Sequence, residues 1–139
     1  MPGASVTIPE GFYMDTDPEL ADDFGIFIIS KDHAFSVHLS YCEHGLTDEA
    51  LRKILGQYDE YSMIQDISST ENNGLYGHDA IYTSGSVGYY EARFQVPDQY
   101  HLMCLITMKS DTLEEVMASQ DFHMVMAGIR HEDLSVYYS

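Results

Sequence analysis

Residues 72–85 read NNGLYGHDAIYTSG. Three glycines, a histidine and an aspartate are the material of a ligand cradle, but equally of a corner between strands. The flanks decide between the two. SMIQDISST (62–70) lies before the stretch and VGYYEARFQV (87–96) after it, while GHDAIYT (77–83) lies within; all three are strand-like, the last two rich in β-branched and aromatic residues. Asn72, Asn73 and Gly74 then form a tight turn, Gly77 starts the next strand, and Gly85 belongs to the following turn. A dinucleotide or phosphate loop needs a helix after its glycines, and a phosphate loop also needs a lysine. A nucleic-acid clamp of the G-x-x-G kind joins two helices between basic flanks. The stretch therefore predicts a hairpin.

Outward from it, GIFIIS (25–30), FSVHLSYCE (35–43) and HLMCLITM (101–108) read as further strands. In the second of these Phe35, Val37, Leu39 and Tyr41 alternate with Ser36, His38, Ser40 and Cys42, which gives one buried and one more polar face. The connections KDHA, ENNGLY, SGS and PDQY are short, and short links join antiparallel neighbours. VTIPEGFYMD (6–15) reads as extended chain and 15–23 as an acidic loop. Between strands the period changes. Thr47 is placed to N-cap a helix, with Asp48 and Glu49 in its first turn and Leu46 and Leu51 at staple positions. Leu51, Ile54, Leu55 and Tyr58 continue its apolar face, to about Tyr58 or Tyr61. A D-x-x-E pattern at Asp111 and Glu114 opens a final helix carrying Leu113, Val116, Met117, Phe122, Val125, Met126 and Ile129, ending near Gly128. The expected fold is α+β: one domain over 1–139, with an antiparallel sheet of about six strands and helices packed against it.

The chain has 139 residues and is 45% hydrophobic, enough for a core. Its formal charge of −17 argues against nucleic acid and anionic membranes as partners, and favours a protein partner with a basic surface. No run approaches the length of a membrane helix. MPGASVTIPEGF lacks a basic start and an apolar core, so no signal peptide is read. Cys42 and Cys104 sit in apolar runs and are expected to be buried free thiols. Together these point to a cytoplasmic protein, unless a leader has been removed.

Three phrases carry a family resemblance: VTIPEGFYM near the start, STENNGLYGHDAIYTSGSVGYYEARFQV in the middle, and SQDFHMVMAGIR near the end. With the order of elements, they resemble the PsbP-like fold group, which includes the Ran-binding import factor Mog and bacterial DcrB-related proteins. The resemblance spans roughly residues 6–130. It implies a curved antiparallel sheet with helices against it and a role in protein binding. It carries over no catalytic residue.

Several constellations bear on chemistry. His38, Cys42 and His44 share one side of a strand, but His38 and Cys42 would lie about 13 Å apart at strand rise. Zinc ligands must lie within about 2.3 Å of one ion, so only Cys42 and His44 could share a metal. Asp15, Asp17 and Glu19 begin like a calcium loop, yet Leu20 and Ile26 occupy the places of its glycine and last glutamate. Glu91 and Arg93 share a strand face opposite Tyr90, Ala92 and Phe94, as an ion pair or cross-strand network. Tyr58, Tyr61, Tyr76, Tyr82, Tyr89, Tyr90 and Tyr100 serve mainly the core, with a Tyr-lined groove as a further option. No catalytic residue, metal or cofactor is assigned. The expected function is a non-catalytic protein-binding module, an adaptor or chaperone-like. The alternatives are an immunity protein neutralising a basic toxin, and a small hydrolase or metal-dependent enzyme.

Overall fold

The computed structural model describes residues 4–5, 12–14, 25–30, 34–56, 60–96 and 101–131, with side chains within 34–56, 60–96 and 101–130. Strands β1 (Ala4–Ser5), β2 (Phe12–Met14), β3 (Gly25–Ser30) and β4 (Phe35–Cys42) come first, followed by helix α1 (Asp48–Leu55). Strands β5 (Ser62–Asn72), β6 (Leu75–Ser84), β7 (Val87–Gln95) and β8 (His101–Lys109) follow, then helices α2 (Leu113–Ala118) and α3 (Gln120–Gly128) and strand β9 (Arg130–His131).

The α+β expectation holds. The described strands form an antiparallel sheet in the order β2-β3-β4-β8-β7-β6-β5, and β1 pairs with β9 separately. The expected count of about six becomes seven, because Phe12–Met14, read only as extended chain, pairs with β3. The five strands from β4 to β5 across the sheet carry the described side chains and form its body.

The hairpin at 72–75 has the expected two-residue turn. Asn73 and Gly74 sit at φ 54 and 81, and Asn72 faces Leu75. Paired positive φ values give the turn the twist of the flanking strands, and Asn-Gly adopts them at low cost. At the next turn only Gly85 has positive φ, at 56, the pattern of a turn with glycine at its first central position. Gly77 is required for a separate reason: a Cβ there would fall on the Arg93 carbonyl of β7.

Each sheet face has its own core. Phe35, Val37 and Leu39 of β4, Leu102, Cys104, Ile106 and Met108 of β8, and Tyr90, Ala92 and Phe94 of β7 pack against α2 and α3 through Leu113, Val116, Phe122, Val125 and Ile129. On the opposite face Leu46, Leu51 and Leu55 meet Ala80 and Tyr82 of β6, with Ile54, Ile67 and Tyr89 beside them. Thr47 caps α1 as expected, its hydroxyl accepting from the Ala50 N–H at 3.2 Å, and the staple residues Leu46 and Leu51 share one cluster.

Two helical readings are corrected. α1 ends at Leu55 rather than near Tyr58 or Tyr61; Tyr58 lies outside the described residues, and Tyr61 is exposed, before β5. The single closing helix is two. Ser119 is extended, its hydroxyl donates to the Val116 carbonyl at 2.7 Å, and the same oxygen accepts from the Phe122 N–H at 3.2 Å. One serine thus closes α2 and caps α3, which turns the apolar face of α3 onto the sheet. The D-x-x-E cap does not form as read: Asp111 lies in a 3₁₀ turn and Thr112 stands at the N-cap of α2.

Candidate functional site

The alternation of β7 sends Tyr89, Glu91 and Arg93 to the α1 face of the sheet. Glu91 is 2% exposed and lies opposite Ala80 and Leu105. A buried carboxylate is costly unless its oxygens are occupied. Both are: one accepts from the Tyr82 hydroxyl at 2.9 Å, the other from Arg93 Nε at 2.8 Å. The ion-pair reading of Glu91 and Arg93 therefore holds. Arg93 Nη1 reaches on to the His44 carbonyl at 3.0 Å, which ties the loop before α1 to the sheet. The Tyr82 ring stacks on Tyr89 with centroids 5.1 Å apart.

Beside this network lies a residue that the sequence reading passed over. His101 stands directly opposite Cys42 in the β4–β8 register. The backbone of Gly45 runs against its imidazole, whose Nδ1 is buried. Burial, helped by the charge of Arg93 and opposed by a hydrogen bond with the Glu43 backbone, holds its pKa below the ordinary histidine range. His38 and Cys42 are half-buried on β4, His44 is exposed, and the Cys42 thiol donates to the His44 carbonyl at 3.3 Å. Burial pushes the Cys42 thiol up, away from the thiolate that makes cysteine reactive. Cys104 is fully buried and pushed up to about 12, first by burial and then by Glu91. Both cysteines are free; Cys104 is buried as expected, whereas Cys42 is only half-buried. Among the described residues no group of three or more His, Cys, Asp and Glu could hold one ion. Asp15, Asp17 and Glu19 lie outside the described residues.

What this arrangement does chemically is hold the 43–46 segment. The two Glu91 oxygens, the Tyr82 hydroxyl and Arg93 Nε are spent on one another, and Arg93 Nη1 on the His44 carbonyl. A second polar group ties β5 down: Asp79 accepts from Gln65 at 3.1 Å and from the Tyr90 hydroxyl at 2.9 Å. Burial, with the Asp79 charge, pushes the Tyr90 phenol far up.

The other candidate surface is the β5 edge. Tyr61, just before β5, is 54% exposed, and Met63 and Ile64 on β5 are 37% and 57%; Tyr76, 61% exposed, stands on β6 opposite Glu71, toward the far end of the hairpin. Extra residues in β5 shift its register between Met63 and Gln65 and again between Gln65 and Ser68. Such bulges re-aim side chains and interrupt regular pairing at an edge. Between residues 54 and 92 the sequence has neither Lys nor Arg, while Glu60, Asp66 and Glu71 are exposed there. Where β5 begins, Glu60, Tyr61, Ser62, Thr83 and Gly85 line an open groove of about 480 Å³. Of the tyrosines read as core or groove, Tyr82 and Tyr90 are core, Tyr89 is half-buried, and Tyr61 and Tyr76 are surface; Tyr58 and Tyr100 lie outside the described residues.

No protein-family model matches the chain, and no curated protein matches its sequence. Among solved structures it is similar to LpqN of Mycobacterium tuberculosis, a protein described as involved in cell envelope biogenesis. The TM-score is 0.57 at 11% identity, over 94% of this chain and 85% of that one. At this identity the likeness concerns the fold.

Proposed function

We propose that this chain is a non-catalytic protein-binding module of the PsbP-like group, adaptor or chaperone-like, acting in the cytoplasm on a partner with a basic surface. The observation that carries the reading is the start of the β5 edge, where three neighbouring large apolar side chains, Tyr61, Met63 and Ile64, stand exposed on a stretch devoid of Lys and Arg. Exposed apolar residues framed by polar ones are the usual make-up of a binding surface. The reading also draws on the resemblance of the three sequence phrases, on the antiparallel sheet with helices against it, and on the engagement of Glu91 and Arg93 within the fold.

The test begins with capture of a partner from native lysate at low and high salt. Binding kinetics with the recovered protein follow across a salt series. Long-range attraction predicts an association rate that falls steeply as the Debye length contracts from about 30 Å at 0.01 M to about 8 Å at 0.15 M. The dissociation rate should change much less. No partner at either salt counts against the binding role. An association rate independent of salt counts against a basic partner.

A further inference from the structure

We infer that the groove at the start of β5 receives an arginine side chain of the partner, with Met63 and Ile64 supplying the apolar contact beside it. This deepens the binding role proposed above and rests on it. The described lining is one exposed carboxylate, Glu60, one exposed aromatic ring, Tyr61, two hydroxyls, Ser62 and Thr83, and the backbone of Gly85. A guanidinium matches that set group by group. Its charge pairs with Glu60, its plane stacks on the Tyr61 ring, and its remaining N–H groups find the hydroxyl oxygens. An anion would meet the Glu60 carboxylate and, in the described lining, no Lys or Arg; the nearest basic residue along the sheet, Lys109, faces Val87 on β7 outside that lining. Gly85 keeps the rim low, since a Cβ there would stand in open space at a φ that disfavours other residues.

A second copy of the chain is a poor occupant. Each copy carries −17, so two would repel as they approached. The two register shifts in β5 also interrupt the straight edge that strand-to-strand pairing requires. Met63 and Ile64 follow Tyr61 and Ser62 along β5 just outside the groove's described lining, and both are exposed where the register shifts, so a segment with arginine in the groove would pass beside them.

The probe is a synthetic peptide alternating arginine and leucine, with a control in which glutamate replaces arginine. Backbone amide shifts of isotope-labelled protein locate binding, and calorimetry at 0.15 M salt measures it. The arginine peptide should perturb Tyr61, Ser62, Thr83 and Gly85, and the glutamate peptide should leave them unmoved. Glu60→Gln and Tyr61→Ala should each weaken binding about tenfold, the scale of a single anchoring contact. Both residues are exposed, so the variants should keep the dispersed spectrum of a folded domain. Perturbations scattered over the acidic surface, unchanged affinity in both variants, or no binding of the arginine peptide would overturn the inference. A partner from lysate held equally well by wild type and Tyr61→Ala would also overturn it, leaving the binding role intact. Absence of any lysate partner would strike at the binding role itself.

Discussion

The side-chain amide of Asn73, at the tip of the β5–β6 hairpin, donates to the carbonyl of Ile129 at 2.8 Å. It also donates to the Ala127 carbonyl at 2.7 Å, and the neighbouring Asn72 amide donates to Met126 at 2.8 Å. The last carbonyls of a helix have no partners within it. Here a turn more than fifty residues away in sequence supplies them. Asn73 thus does two jobs, taking a positive φ and capping α3. Replacing it with glycine keeps the turn and removes both bonds, for an expected loss of about 1–3 kcal/mol at the ordinary value of a hydrogen bond. Asn73→Ala should cost more, because alanine also resists the positive φ. Denaturant melts of the two variants would separate the contributions. Equal stabilities would mean that the turn conformation costs nothing here.

Leu51 is buried on the sheet-facing side of α1, whereas Ile54 of the same helix is half-buried at the border of the cluster. Leu51→Ala should destabilise by about 2–4 kcal/mol, as for buried aliphatic side chains elsewhere. Ile54→Ala should fall at or below the lower end of that range. A melting temperature unchanged in Leu51→Ala would mean that α1 does not rest on the sheet.

Arg93→Leu would leave Glu91 with only the Tyr82 hydroxyl in a buried setting. Removing one partner of a buried pair typically costs about 3–5 kcal/mol, because the charge left behind is uncompensated. Replacing both in Glu91→Leu/Arg93→Leu should recover part of that loss. Chemical denaturation of the two single variants and the double would test it, and purely additive losses would show that the pair is not coupled.

His101 sets an expected pH dependence. Its folded pKa lies below the unfolded value of about 6.5, chiefly through burial. Between those two values the unfolded chain binds more protons than the folded one. Stability is therefore fully present above the unfolded pKa and falls as pH drops toward the folded value. Denaturant midpoints measured from pH 7.5 down to pH 5.5 should decline in the wild type, and less so in His101→Gln. Identical slopes would assign the decline to other groups.

Gly77→Ala should destabilise by more than an ordinary surface glycine replacement, since the added methyl meets backbone of β7 rather than a side chain that can swing away. Loss of cross-strand amide protection at Gly77 and Phe94, which face each other, would locate the damage. Unchanged protection would show that the methyl is accommodated without parting the two strands.

The parts legible in the sequence were those governed by residues a few positions apart. Asn73-Gly74 dictates a turn through sterics of its own two φ angles. Thr47 caps from three residues away, and the staple pairs Leu46 with Leu51 along one helix face. The alternation of β7 put Glu91 and Arg93 together because side chains of a strand repeat every second residue. The break at Ser119 is not legible in the sequence although its cap is local, because the apolar spacing of 113–129 suits one helix as well as two. The rest depended on which distant strands pair, and in what register. Cys42 meets His101 only because β4 pairs with β8 across more than fifty intervening residues. The groove exists only because Glu60, Tyr61 and Ser62 come up beside Thr83 and Gly85, when β5 pairs with β6. Such pairings are fixed by the packing of the whole sheet against its two helical layers. A one-residue slip would carry each of those side chains to the other face, so that level of detail belongs to the tertiary structure.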